Sequence, residues 1–135
     1  MALIEEYCKE KDLNFDEARV YGKIGEELAD AIFEGNLTCE VKTERNQWKK
    51  TGNIAIEYMS RGEWSGITTT KAEIWVHFLS FDGKVDGGGF VFKVKKLRDY
   101  ISKNKDKLRR VFGGDDNTSH LILLNNKEIG EIYEL

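Results

Sequence analysis

The residues best suited to chemistry in this sequence are Glu40 and Lys42, which flank Val41 in the run Leu37-Thr38-Cys39-Glu40-Val41-Lys42. Leu37, Cys39 and Val41 alternate with Thr38, Glu40 and Lys42, the period of a strand with its apolar set on the core. On that reading the carboxylate and the ammonium project together from the opposite face. Upstream, Asp30-Ala31-Ile32-Phe33 followed by Glu34-Gly35-Asn36 suggests a first strand hairpinned to the second. A symmetric hairpin sets Phe33 opposite Leu37, Ala31 opposite Cys39 and Asp30 opposite Glu40. Two carboxylates facing each other across a ladder repel, and a cation between them relieves the repulsion. Mg²⁺ suits that place, because it is hard, keeps several waters and takes one or two carboxylates plus phosphate oxygens. Such an ion polarises a phosphodiester and lowers the pKa of a bound water, while a neighbouring lysine orients that water or offsets developing charge. The chemistry implied is phosphodiester hydrolysis. The plainer alternative is a solvated charge pair on a strand, since Glu-x-Lys is a short motif.

Several elements have to position this pair. Leu3, Ile4, Tyr7 and Cys8 recur at helical spacing in residues 1–11, and Asn14 or Asp16 suits the cap of a second helix running through Ala18 and Tyr21 toward Gly25. Residues 53–59 predict a strand with Ile54, Ile56 and Tyr58 on one side and Ala55, Glu57 and Met59 on the other. Glu57 is then either a further ligand or water-holder beside Glu40 or, more simply, a strand-edge charge. Residues 65–72 suggest a loop or short helix, 73–79 an aromatic and β-branched strand, 82–89 a glycine-rich turn and 90–94 another strand. Leu97, Ile101, Leu108 and Val111 suggest a lysine-rich helix over 95–112 that Gly113 and Gly114 end, with short strands at 120–124 and 128–133. His77, between Val76 and Phe78, fits a core or sheet histidine. The expected fold is α/β (α+β), a single domain over 1–135 with a mixed central sheet flanked by helices.

Composition sets limits on this picture. A chain of 135 residues, 40% apolar and 33% charged, suits one compact domain. No stretch approaches the roughly 20 apolar residues of a membrane span, and the start lacks a secretory pattern, so no membrane association and a cytoplasmic protein are expected. Cys8 and Cys39 are far apart, which suggests neither a disulfide framework nor a zinc site, and Cys39 is expected to pack in the core. The net charge of −3 is unusual for a DNA binder. Its distribution matters more: acid concentrates in the first forty residues, while 42–50 and 93–110 are basic.

A longer pattern surrounds the pair. Glu40-Val41-Lys42-Thr43-Glu44-Arg45 is followed by Trp48-Lys49-Lys50-Thr51-Gly52-Asn53-Ile54-Ala55-Ile56-Glu57-Tyr58, then by Ser60-Arg61-Gly62, Ser65-Gly66-Ile67 and Thr70-Lys71-Ala72, with Gly113-Gly114-Asp115-Asp116-Asn117-Thr118-Ser119 near the end. Over residues 21–124 this resembles the small PD-(D/E)XK nuclease-like proteins of bacteriophages, Holliday junction resolvase-like ones among them. The resemblance implies a restriction-endonuclease-like fold and a catalytic set of an Asp, the Glu-x-Lys pair and a Glu from an early helix. Carried onto this chain, Glu40 becomes a metal ligand, Lys42 the catalytic lysine, and Glu26 or Glu27 the helical carboxylate. Asp30 takes the place of the Asp, as the only acidic residue in register in a segment shorter than the family's. The implied metal set is Asp30, Glu40, Val41 and Glu27, holding Mg²⁺ with Mn²⁺ as its substitute. DNA contacts fall to Arg45, Trp48, Lys49, Lys50, Arg61, Ser65, Thr68 and Lys71, with cations and hydroxyls on phosphates and Trp48 either stacked on a base or anchoring the packing. The expected activity is that of a Mg²⁺-dependent DNA endonuclease, extending to structure-selective cutting of branched or junction DNA by a symmetric homodimer. The competing expectation is a catalytically inactive nuclease-fold module that binds nucleic acid or a host protein.

Overall fold

A computed structural model describes residues 15–45, 47–85 and 88–135. The helix expected over 1–11 with Cys8, the cap at Asn14 and the side chain of Asp16 lie outside the described residues. The chain divides into two compact units, Met1–Leu37 and Thr38–Leu135.

In the first unit one helix, α1 (Phe15–Phe33), continues through Gly25 and absorbs the residues expected to form the first hairpin strand. Glu26, Glu27, Ala29 and Ala31 are good helix formers, and a single exposed glycine inside a helix costs only about 1 kcal/mol relative to alanine. The Gly-Asn pair that suggested a hairpin turn instead closes the helix. Gly35 adopts φ +74°, its N–H donates to Ile32 O at 3.2 Å, and Asn36 N–H donates to Ala31 O at 2.9 Å. That is the Schellman arrangement, which satisfies the last orphan carbonyls. The hairpin between Asp30 and Glu40 is therefore overturned.

The second unit runs β1 (Cys39–Glu44), α2 (Gln47–Thr51), β2 (Ile54–Ser60), β3 (Glu63–Trp64), a 3₁₀ turn at Gly66–Thr68, β4 (Ile74–Leu79), β5 (Gly89–Lys93), α3 (Val94–Asn104), β6 (Arg109–Gly113), a second 3₁₀ turn at Asp115–Asn117, β7 (Ser119–Leu124) and α4 (Asn126–Tyr133). Two sheets result. One is mixed, in the order β1-β4-β5, with β1 and β4 parallel and β4 and β5 antiparallel; the other is antiparallel, in the order β3-β2-β7-β6. The expected α+β class with a mixed sheet and helices holds.

The core joins both sheets to α3 and α4. Ile54, Ile56, Trp75, Phe92, Leu97, Leu124 and Ile132 are almost wholly buried in one cluster. Each contributes on the order of 1.5–3 kcal/mol by leaving water. Ile54 and Ile56 thus occupy the inner face that the alternation of β2 predicts.

Two further expectations change. The helix expected over 95–112 stops at Asn104, whose carbonyl accepts from both Lys107 N–H (2.9 Å) and Leu108 N–H (3.0 Å). Leu108 is buried, and Arg109–Gly113 pairs with β7 as an edge strand. The strand expected over 128–133 is helix α4. Asn125 accepts from Glu128 N–H at 2.9 Å and its own N–H donates to the Glu128 carboxylate at 3.0 Å. This reciprocal capping box fixes the helix start, and the apolar Ile129 and Ile132 then share a buried face.

Strand β1 is turned over relative to expectation. Cys39 is exposed and Val41 is 53% exposed, whereas Glu40, Lys42 and Glu44 are partly covered. The cause is the partner strand: Glu40 and Lys42 align with Trp75 and His77 of β4, and Glu44 reaches the backbone of β2. Among the described residues no helix is long and apolar enough to cross a membrane.

Candidate active site

Period-2 alternation along β1 places Glu40, Lys42 and Glu44 on one face. Lys42 Nζ lies 2.8 Å from Glu40 Oε1, and the two side chains are 40% and 34% exposed. The other oxygen of Glu40 accepts from Thr70 Oγ1 at 3.4 Å. The ammonium also sits 5.9 Å from the centroid of the Trp75 ring, within cation–π range. Lys42 is thus held between a carboxylate and an aromatic face.

Behind it runs a buried polar chain. Trp75 Nε1–H donates to His77 Nδ1 at 3.1 Å, so in the neutral imidazole the proton belongs on Nε2. That nitrogen is buried and, among the described residues, has no hydrogen-bond partner; Glu44 Oε1 lies 3.5 Å away, outside bonding geometry. Glu44 Oε1 instead accepts Ala55 N–H at 2.5 Å, which ties the mixed sheet to the antiparallel one. His77 is a buried sheet histidine, as its position between Val76 and Phe78 predicts.

A cleft of about 460 Å³ opens on this face, lined by Lys42, Glu44 and Arg45 from the β1 region, Glu57 of β2, His77 of β4 and Ser119 of β7. Glu57 is no strand-edge charge. Its carboxylate is partly buried and accepts from Ser65 Oγ at 2.8 Å and from Ser119 Oγ at 3.0 Å. The register of β2 on β7 shifts between Glu57 and Met59, a bulge of the kind that re-aims side chains beside sites. Gly66 then packs where only glycine fits: it has φ +53°, and a Cβ there meets Glu57 O at 2.2 Å.

The structure brings together Glu40 and Lys42 on one face of β1. Glu26, Glu27 and Asp30 are exposed on α1 in the first unit, with Asp30 four residues after Glu26 and three after Glu27, so they share one helix face. Asp30 is not across a ladder from Glu40, because β1 pairs with β4. The Val41 side chain points away from the Glu40 face. Arg45, Lys49, Lys50, Arg61 and Lys71 are exposed and available to a partner. Trp48 is a packing anchor, its ring edge-on to Phe81 at 5.0 Å and its Nε1–H donating to Ser80 O at 3.4 Å. Ser65 spends its proton on Glu57 and Thr68 donates to Tyr58 O at 2.9 Å.

Sequence reasoning missed Glu44, Trp75 and Ser119. Glu44 was accessible to the same alternation that linked Glu40 to Lys42. Trp75 and Ser119 reach the cleft through strand pairings that no local pattern encodes. Among the described residues no group of three or more His, Cys, Asp or Glu side chains is arranged to hold a metal ion. Comparison with protein-family models, with curated proteins and with solved structures returned no match for this chain.

Proposed function

We propose that this protein is a metal-dependent endonuclease that hydrolyses phosphodiester bonds in DNA, with Glu40 and Lys42 at its centre. The observation that carries this reading is the paired carboxylate and ammonium, 2.8 Å apart and half exposed on one face of a parallel strand, beside a polar cleft. The donor set fits Mg²⁺ or Mn²⁺ bound chiefly through substrate and water: such an ion needs only one or two carboxylates besides phosphate oxygens, and Glu40 offers one. When bound, the ion supplies Lewis-acid polarisation of the phosphate and a more acidic water. Glu40 binds and orients at that point, helped by the Thr70 hydroxyl. Lys42, steadied by the Trp75 ring, donates to a phosphate oxygen as negative charge develops there. Arg45, Lys49, Lys50, Arg61 and Lys71 hold backbone phosphates, which makes affinity fall steeply with salt and leaves base preference low. Action on junction DNA requires a symmetric homodimer, and a cytoplasmic site of action follows from the substrate.

A second reading, a nuclease-fold module that binds nucleic acid or a protein without cutting, draws support from the lack of a three-carboxylate cluster among the described residues. The deciding experiment is cleavage of supercoiled, single-stranded and four-way-junction DNA with Mg²⁺ or Mn²⁺, with Glu40→Ala, Lys42→Ala and an EDTA control. Metal-dependent cutting that falls by about 100-fold or more in each variant is expected. Absence of cutting on every substrate, with DNA binding retained, leaves the binding module.

A further inference from the structure

The antiparallel sheet has a second recess on the face opposite the cleft. Tyr58 and Ile122 line it, while the neighbouring Glu57 and Leu121 line the cleft, as alternation along β2 and β7 requires. Its volume is again about 460 Å³, within the range of pockets that hold small organic ligands.

The chemistry of this recess is selective. Its walls include Trp64, Tyr58, Arg98, Arg110, Thr68 and Ser102, and among the described residues no acidic one lines it, although the chain as a whole carries a net charge of −3. Trp64 is 63% exposed, on a two-residue edge strand that pairs only through Met59 and Ser60. An indole left this open on the rim of a recess is a ready stacking surface. Both guanidinium groups donate to backbone carbonyls. Arg98 donates from Nε to Ile67 O at 2.8 Å and from Nη2 to Thr70 O, and among the described residues nothing accepts from its Nη1. Arg110 donates from Nη2 to Lys105 O at 2.9 Å. Arg98 is thus held by two backbone carbonyls, while Arg110 is exposed and tethered by one, and each keeps N–H groups uncommitted. Guanidinium groups favour phosphate, which they bind as a planar fork.

We infer that this recess is a nucleotide-binding site, taking a nucleoside phosphate with its base against Trp64 and its phosphate on Arg98 and Arg110. The ligand is either a free nucleotide or an unpaired nucleotide of a strand, since both present the same base and phosphate. The inference stands apart from the nuclease reading: no residue of the recess belongs to the Glu40–Lys42 face, and its test needs neither metal nor cleavage.

The test is calorimetric titration of the full chain without metal, using AMP, TMP, adenosine, inorganic phosphate and a short oligothymidylate, repeated with Trp64→Ala and Arg110→Gln. Trp64 and Arg110 are both exposed, and circular dichroism checks that each variant folds. Trp64→Ala is expected to weaken nucleotide binding by about 10-fold or more, the scale of one lost base–aromatic stack. Arg110→Gln is expected to weaken AMP and leave adenosine unchanged. Binding of AMP and TMP alone identifies the free nucleotide as the source, and binding of the oligothymidylate alone identifies the strand. The inference is overturned if neither binds at millimolar concentration, if phosphate binds as well as AMP, or if both variants bind like the natural chain.

Discussion

Replacing Gly66 with alanine tests how the turn Ser65-Gly66-Ile67 holds the wall of the cleft. Two costs combine. Gly66 has φ +53°, where an L-residue is disfavoured by about 1–2 kcal/mol. The new Cβ also meets the carbonyl oxygen of Glu57 at 2.2 Å, far inside contact distance, and the obstacle is backbone that cannot swing away. The turn must back off from β2, which breaks the Ser65 N–H bond to Tyr58 O (3.1 Å) and the Ser65 Oγ bond to the Glu57 carboxylate (2.8 Å). A neutral hydrogen bond is worth about 0.5–1.5 kcal/mol and one to a charged group about 1.5–3 kcal/mol, so the total loss comes to about 3–6.5 kcal/mol. Gly62 provides the control: it has φ +81° and nothing within 4 Å of an added Cβ, so Gly62→Ala carries the backbone cost alone, about 1–2 kcal/mol. Urea unfolding followed by circular dichroism measures both. If Gly66→Ala lies within about 0.5 kcal/mol of Gly62→Ala, the close approach to Glu57 does not constrain the turn and the reasoning fails.

Other outcomes follow from the same contacts. Ser119→Ala removes the 3.0 Å donor to Glu57 and is expected to cost about 1.5–3 kcal/mol in urea unfolding; a loss under about 0.5 kcal/mol shows that Glu57 does not depend on it. Tyr100 is buried, and burial first, then the hydrogen bond to Glu131, hold its phenol protonated well above the usual tyrosine range. A raised folded-state pKa gives stability that is fully present below the unfolded value near 10.0 and is lost as pH rises toward the folded one. Melting temperature is therefore expected to drop on the alkaline side of pH 10, and Tyr100→Phe to flatten that drop; an unchanged alkaline limb in the variant contradicts the assignment.

The sequence carried most of the sheet strands and the pairing of Glu40 with Lys42, because those rest on alternation within a few residues. It misplaced what depends on distant partners or on signals with two meanings. Glu34-Gly35-Asn36 suits a hairpin turn and a helix C-cap equally well, since both need a residue with positive φ, and only the continuation of α1 decides between them. The Asn125…Glu128 capping box was legible and outweighs the short apolar run after it. The orientation of β1 was not legible. Alternation says which residues share a face, and the buried partners Trp75 and His77 decide which face turns inward. Glu57 looked like an edge charge because the two serines that hold it come from elsewhere in the chain.

The parallel pairing of β1 with β4 also has a consequence in time. Among the described residues the strand bearing Glu40 and Lys42 has Ile74–Leu79 as its one ladder partner, and the wall across the cleft is finished only when Ile54–Ser60 meets Ser119–Leu124. Such non-local pairings are slow to close, because loop entropy is lost before any contact compensates it. During synthesis the strand bearing the charged pair therefore emerges well before its partners and waits for them. Among the described strands β7 comes after all the others and carries Ser119, so the cleft acquires its complete lining only once β7 has left the ribosome.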